Sequence, residues 1–320
     1  MLKVSFYSYK GGAGRSTTAW NTIKWIMEEA PDNLKPTPDY PFIIIDADVE
    51  SAGSTLLFRA EDSFLRNRNY LSLQYYMRNK VKLDGNEQER KRIFLSYMCP
   101  VGEFFGLKSG KNSILLVGAN MDKNTDKIDK AGNDPEQRDR FWDFIEQCED
   151  FGARGIFFDT PSGTQGLARF SRDNSKTVVC CMRPTYQFRR GTKFALRAFQ
   201  KQGGQPVTYI LTPTTVCVDS GQVFNGKVYP GEALAQIRKD FNTDEFNSQV
   251  KLDMLEPTPT DCKEFPDISE DGANVFGIPE IKRFKWSEDC LSTIAPENLT
   301  SNDMLGINRF KYLARTILKY

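Results

Sequence analysis

The sequence predicts a three-layer α/β fold, a doubly wound and mostly parallel sheet with helices on both faces. Three observations predict it. Apolar strand-like runs at Leu2–Tyr9, Phe42–Ile45 and Gly155–Phe158 each stop abruptly at polar residues. Segments with helical spacing of apolar residues alternate with such runs, the pattern of a parallel sheet with crossover helices. A glycine-rich loop, Lys10-Gly11-Gly12-Ala13-Gly14-Arg15-Ser16-Thr17, joins the first run to the first helix.

The elements follow in order. Val4–Tyr9 is a short β-rich run, and Thr17–Ala30 places Trp20, Ile23, Ile26 and Met27 on one helical side. Lys35–Pro41 is a proline-marked loop. Phe42-Ile43-Ile44-Ile45 is continuously apolar, which suits a strand buried on both faces. Residues 60–112 are charged and aromatic, with helical patches at Tyr70–Arg78 and Glu87–Tyr97. Ser113–Gly118 reads as a strand. Asp134-Pro135-Glu136 opens a helix, with proline in its first turn and Phe141, Phe144 and Ile145 on its apolar side. Strands are expected at Gly155–Phe158, Lys176–Met182 and Val207–Leu211, the last two separated by a helix at Gly191–Gln202. Phe224-Asn225-Gly226-Lys227 carries a hairpin signal. Gly231–Phe241 reads as a helix, Thr258–Asp271 as a proline- and acid-rich surface loop, and Asp303–Tyr320 as a terminal helix. No clean boundary divides the chain, so the expectation is one domain over 1–320 with insertions near 60–112 and 212–275.

Composition removes several chemistries. There is no histidine among the 320 residues, so imidazole acid–base catalysis, Ser-His triads and histidine-bearing metal sites are excluded. The net charge of +1 gives no global attraction to nucleic acid or anionic membrane. The seven cysteines, Cys99, Cys148, Cys180, Cys181, Cys217, Cys262 and Cys290, are odd in number and lack a C-x-x-C, which points to reduced, buried thiols. No run reaches the ~18 apolar residues of a spanning helix, and the start of the chain lacks a basic-then-apolar leader. The expectation is a soluble cytoplasmic protein.

The glycine loop carries the chemistry. Glycines let successive backbone N–H groups turn toward an anion, and the following helix aims its positive end at the same point. Its amides, from Gly11, Gly12, Ala13 and Gly14 onward, are expected to hold the α- and β-phosphates of a nucleotide. Ser16 is placed to ligate Mg²⁺ and Thr17 to touch the α-phosphate side. Arg15 stands where the lysine of G-x-x-x-x-G-K-[ST] normally stands, and Lys10 opens the loop. A guanidinium keeps the charge but is wider and flatter than an ammonium. Two further strand ends supply carboxylates, as ligand sites of open α/β sheets require. Asp46 and Asp48, two apart on extended backbone, point to one side and are suited to metal-bound water and an attacking water. Asp159, followed by Thr160-Pro161-Ser162-Gly163, stands as a magnesium-side acid, and the turn after it can aim an amide at a γ-phosphate.

These three segments, in this order and spacing, resemble the ParA/MinD family of deviant Walker A ATPases, in the SIMIBI class of P-loop NTPases. The resemblance is specific over Met1–Ser54 and roughly Ser113–Gly191. It implies an ATP- and Mg²⁺-dependent dimerisation switch with slow, partner-stimulated ATPase activity, used to partition DNA or position a cargo. It implies that two subunits sandwich two ATP molecules, with Lys10 reaching the partner's phosphates in the manner of an arginine finger. By the same resemblance Asp48 orients the water, Asp46 and Asp159 support the metal, and Gly277-Ile278-Pro279-Glu280-Ile281 is the base-side loop, with Pro279 among the nucleotide contacts. Thr212-Pro213-Thr214 stands where the family tends to place an adenine-reading asparagine. The alternative is a nucleotide-binding sensor with little turnover, motivated by Arg15. Expected partners are a second copy and another protein, with non-specific DNA open and a membrane disfavoured. The tail alternates Leu305, Ile307, Phe310, Leu313, Ile317 and Leu318 with basic residues, and packing on the fold is preferred to lying on lipid. Met182–Arg190 is basic and aromatic, and reads either as a contact surface or as a solvated helix start.

Overall fold

The computed structural model describes residues 1–64, 70–79, 86–107, 111–120, 134–202, 205–214, 223–224, 227–228, 236–237, 239–241, 246, 250–253, 277–285 and 290–320. Its strands are β1 (Leu2–Tyr7), β2 (Phe42–Asp46), β3 (Cys99–Pro100), β4 (Ile114–Val117), β5 (Gly155–Asp159), β6 (Thr177–Met182), β7 (Val207–Pro213), β8 (Val223–Phe224), β9 (Lys227–Val228) and β10 (Val250–Asp253). Its helices are α1 (Arg15–Glu29), α2 (Gly53–Leu57), α3 (Glu61–Phe64), α4 (Leu73–Arg78), α5 (Glu87–Leu95), α6 (Pro135–Asp150), α7 (Gly166–Asp173), α8 (Tyr186–Gln202) and α9 (Ser301–Ile317). The chain forms two compact units, Met1–Phe6 with Ala30–Lys176, and Tyr7–Glu29 with Thr177–Tyr320.

In the first unit β1 pairs in parallel with β5, β5 with β2 and β2 with β4, while β3 lies antiparallel on β4. Parallel neighbours need crossovers, and the crossovers bring helices that bury both sheet faces. This explains the unbroken apolar runs. Ile43, Ile45, Ile156 and Phe158 pack on one side against Phe141, Phe144 and Ile145 of α6, Tyr76 and Met77 of α4, and Phe170 of α7. On the alternate side of the pleat, Phe42 and Phe157 meet edge to face at 5.1 Å between ring centres. Asp134 caps α6 by accepting from the N–H groups of Glu136 and Gln137, which fixes the helix start where the Asp-Pro pair predicts it.

In the second unit β6, β7 and β10 are parallel neighbours. The terminal helix α9 starts at Thr300 with a capping box, the Thr300 hydroxyl accepting from the Asp303 N–H and the Asp303 carboxylate accepting from the Thr300 N–H. Of the apolar stripe read from the sequence it buries Phe310, Leu313 and Ile317, while Leu305, Ile307 and Leu318 are half-buried. Its basic side clasps α1, where Glu29 accepts from Arg315 at 2.7 Å and lies 3.4 Å from Lys311. Asn21 of α1 accepts from the Leu291 N–H at 3.0 Å.

Several expectations shift. The helix expected at Gly191–Gln202 begins five residues earlier, at Tyr186, so Arg189 and Arg190 are helical. The strand expected at Val207–Leu211 runs on through Thr212 to Pro213, because Pro213 sits at the strand's last paired position, where its missing N–H costs least. The 224–227 hairpin flanks do pair antiparallel. The helix expected at Gly231–Phe241 lies largely, and the loop at Thr258–Asp271 wholly, outside the described residues, as does most of 212–275. Cys148, Cys180, Cys181 and Cys290 are buried free thiols and Cys99 is half-buried; Cys217 and Cys262 lie outside the described residues. Among the described residues no helix is long and apolar enough to cross a membrane.

Candidate functional site

The loop after β1 has the backbone that its glycines predict. Gly12 and Gly14 lie at φ 77° and 70°, a left-handed region that strains any residue with a Cβ. Gly11, Gly12 and Gly14 are exposed, as is Lys10. Two successive loop carbonyls are tied from outside. The Gly12 carbonyl accepts from Arg183 Nε at 2.8 Å, and the Ala13 carbonyl accepts from Thr214 Oγ1 at 2.6 Å. Carbonyls drawn outward turn the neighbouring amides the other way, which is the geometry of an anion-binding nest. The Thr18 N–H closes on the Gly14 carbonyl at 2.9 Å, so α1 begins at Arg15 and its first amides keep no intrahelical acceptor. No acidic residue occupies that first turn to compete with an anion. Arg15 is buried and donates from Nη1 to Ser8 Oγ at 3.3 Å, while Ser16 and Thr17 are half-buried. Further along, the Ile278 N–H donates to the Pro213 carbonyl at 2.8 Å, which fastens the segment carrying buried Pro279 to the end of β7.

The carboxylates of the first unit form a second constellation. β2 and β5 set Asp46 directly opposite Asp159, and β1 sets Phe6 opposite Asp159 on the other side. Both acids are buried. Asp46 Oδ2 accepts from the N–H and the hydroxyl of Thr55, both at 2.7 Å, and Thr55 Oγ1 in turn accepts from the Ala119 N–H at 2.9 Å. Ser54 Oγ donates to Asp159 Oδ2 at 2.8 Å. The other Asp46 oxygen, Oδ1, is buried and makes no hydrogen bond. Burial pushes the Asp46 carboxyl up to about 8, and the Asp159 charge adds to that; the Thr55 bonds oppose it. Two acids on adjacent strand ends, one with an unbonded buried oxygen, are the hard oxygen donors a divalent cation takes. The residues present therefore fit Mg²⁺.

The sequence expected Asp46 and Asp48 to share an extended backbone. Instead β2 ends at Asp46, and the Ala47 N–H turns back to the Ile45 carbonyl at 3.1 Å while also reaching the Asp159 carbonyl at 2.9 Å. The Asp48 N–H joins the same Asp159 carbonyl at 3.1 Å. The bend gives the two acids different surroundings, Asp46 fully buried and Asp48 half-exposed. Four supporting residues escape the sequence reading in this role: Ser54, Thr55, Arg183 and Thr214. Thr214 stands out in sequence only at the place of an asparagine and Arg183 only within the basic-aromatic Met182–Arg190 segment, and a Ser-Thr pair eight and nine residues past a strand-end aspartate is the one sign of the others.

No family model matches the chain, and no curated protein matches it. Solved structures do. Cyanothece McdA in complex with ATP is similar over 100% of this chain and 96% of its own, with a TM-score of 0.62 at 11% identity. The Pyrococcus furiosus cell division ATPase MinD is similar over 98% of both chains, with a TM-score of 0.57 at 11% identity. Cobyrinic acid a,c-diamide synthase from Mycobacterium smegmatis, with bound ATP analog and magnesium, is similar over 100% of this chain and 95% of its own, with a TM-score of 0.59 at 13% identity. At such identities the likeness is one of fold: the chain has the doubly wound α/β fold of these structures.

Proposed function

We propose that this protein is an ATP-dependent dimerisation switch with slow ATPase activity, of the ParA/MinD kind, that positions a cargo. The observation that carries the reading is the loop after β1, with two positive-φ glycines, two carbonyls tied outward and a lysine at its opening. The McdA neighbour holds ATP, a MinD neighbour holds Mg-ADP, and another MinD is seen in complex with MinC. Those properties belong to those proteins, and they support the same ligand class here.

In this reading the amides of Gly11 to Thr17 hold the phosphates, and Arg15 supplies fixed positive charge at the base of the loop. By the resemblance, Ser16, Asp46 and Asp159 would hold Mg²⁺, and its charge would screen the phosphates. Asp48, half-exposed where Asp46 is buried, is free of the cost of full desolvation and orients the attacking water. Pro279 and its neighbours face the base. Lys10, exposed at the loop's start, serves the triphosphate of a second copy. A cation delivered only when two copies close is worth about 10³–10⁵ in rate, as an arginine finger is, and it makes hydrolysis depend on assembly.

The test is Lys10→Ala. The variant is expected to bind Mg·ATP as the parent does while steady-state phosphate release falls about 10³-fold or more. Undiminished hydrolysis, or a parent protein that stays monomeric with saturating Mg·ATP by light scattering, refutes the shared site. A second reading, a sensor with little turnover, is favoured by the Arg15–Ser8 bond, which engages the guanidinium within the protein. Phosphate release beyond one equivalent per subunit excludes it.

A further inference from the structure

We propose that Arg183 is a second cation delivered in trans: its guanidinium, pinned to the phosphate loop of its own copy, contacts the triphosphate held by a second copy. The proposal rests on the nucleotide-binding reading above and adds to it a residue from outside the loop.

Arg183 follows the last residue of β6 and is exposed. Its Nε donates to the Gly12 carbonyl at 2.8 Å, across 171 positions of sequence. Its Nη2 lies 4.0 Å from the place a Cβ on Gly12 would take. Among the described residues Arg183 has no other hydrogen bond and no carboxylate partner. Holding a carbonyl needs a single N–H, and glutamine carries an amide nitrogen at the same point of its side chain as Nε. A tie alone therefore does not account for an arginine. The Nη groups add further donors and a full charge, on a planar fork that matches phosphate oxygens. An exposed arginine ordinarily spreads over many rotamers, and ordering them opposes any contact it makes. The bond to Gly12 does that ordering before a ligand arrives.

The direction of service follows from the peptide plane. The Gly12 carbonyl and the Ala13 N–H belong to one trans peptide and point opposite ways. In the nucleotide-binding reading the Ala13 N–H faces the phosphates of its own copy, so Arg183, on the carbonyl, stands on the reverse side. Its remaining donors meet an anion that arrives from outside the copy. Lys10 opens the same loop and is exposed too. In a pair related by a two-fold axis, each copy lends both cations to the other. With no triphosphate between the copies these cations oppose closure, and a triphosphate reverses that sign, which ties pairing to ATP.

Arg183→Gln is the deciding variant, because it keeps a donor for the Gly12 carbonyl and removes the charged fork. In dilute protein its affinity for a fluorescent ATP analogue is expected to match the parent's. Its association with Mg·ATP, read by light scattering, is expected to need about tenfold more protein. Steady-state phosphate release is expected to fall about 10²-fold, as for loss of one preorganised donor. Arg183→Lys, which keeps the charge, is expected to recover part of both, and circular dichroism checks that each variant is folded. A glutamine variant that pairs and hydrolyses like the parent reduces Arg183 to a tie and overturns the proposal. Mixing separates the two possible triphosphates. Arg183→Gln and Asp48→Asn are each expected to be nearly inactive alone. An equal mixture at saturating protein is expected to regain about a quarter of the parent rate, because about half of the pairs are mixed and each has one site with its own Asp48 and the neighbour's Arg183. A mixture no more active than its components puts Arg183 on its own copy's phosphates and overturns the proposal. A parent that neither binds nor hydrolyses Mg·ATP refutes the nucleotide reading itself, a result distinct from any difference between parent and variant.

Discussion

Replacing Asp46 with asparagine is expected to stabilise the nucleotide-free protein, and by more at pH 8 than at pH 5. Burial, and then the Asp159 charge, hold the Asp46 carboxyl at about 8 in the folded protein. In the unfolded chain it ionises near 3.9, about where any aspartate does. Between those values the folded state keeps a proton that the unfolded state has released. Stability therefore falls as pH rises through that window, by at most about 1.4 kcal/mol per pH unit, with a ceiling of about 5 kcal/mol. Asparagine removes the titration and keeps the geometry. Its carbonyl accepts the two Thr55 donors, and its amide takes the place of the unbonded Oδ1. Urea unfolding of both proteins from pH 5 to 8.5, with a chelator and no nucleotide, gives the comparison. The gap in favour of the variant is expected to widen by about 3–4 kcal/mol between pH 5 and pH 8, at unchanged m-value. Parallel curves, or a variant less stable than the parent at pH 8, would refute the assignment of a buried, proton-bearing carboxyl between Thr55 and Asp159.

Two other outcomes are expected. Thr214→Val deletes the bond to the Ala13 carbonyl with little change of shape; it is expected to weaken binding of a fluorescent ATP analogue about tenfold, with Thr214→Ser restoring it and equal affinities counting against the outward-tied loop. Burial alone would raise the Glu29 carboxyl, but the hydrogen bond and charge of Arg315, with Lys311, outweigh it and hold it below its ordinary value. Its contribution is present above an unfolded pKa of about 4.3 and lost as pH falls through the lower folded one, so Glu29→Gln is expected to cost about 1 kcal/mol at pH 7 and almost nothing at pH 3, read by denaturant unfolding.

What the sequence made legible was periodic or local. The β2 run of four apolar residues could only be a strand buried on both sides, and the glycines at 12 and 14 could only be a loop that needs positive φ. Strand ends followed, and with them Asp46 and Asp159. The parts that escaped depend on which segments the fold brings together. Nothing local tells that Thr55 will bridge Asp46 and Ala119, 64 residues further on, or that Arg183, 171 residues from Gly12, will hold its carbonyl. The Asp46–Asp48 pair misled for a related reason. An i, i+2 rule holds while a strand continues, and here the Asp159 carbonyl captures the Ala47 and Asp48 amides and bends the chain after Asp46.

The same long-range ties bear on what Arg15 does. A loop that must order itself around a triphosphate loses backbone freedom on binding, at about 1–2 kcal/mol per residue. Here Arg15 is bonded to Ser8, Gly12 to Arg183 and Ala13 to Thr214, so much of that ordering is present before any ligand arrives. Exchanging the usual lysine for arginine gives up a compact charge with freely turning donors and gains a planar group that can brace the loop's base. The arrangement favours binding by preorganisation over charge delivered to the reacting phosphates, and in the function proposed here that second task falls to the other cation of the loop, Lys10. A chain built this way should hold ATP well as a single copy and hydrolyse it only when a second copy closes on it.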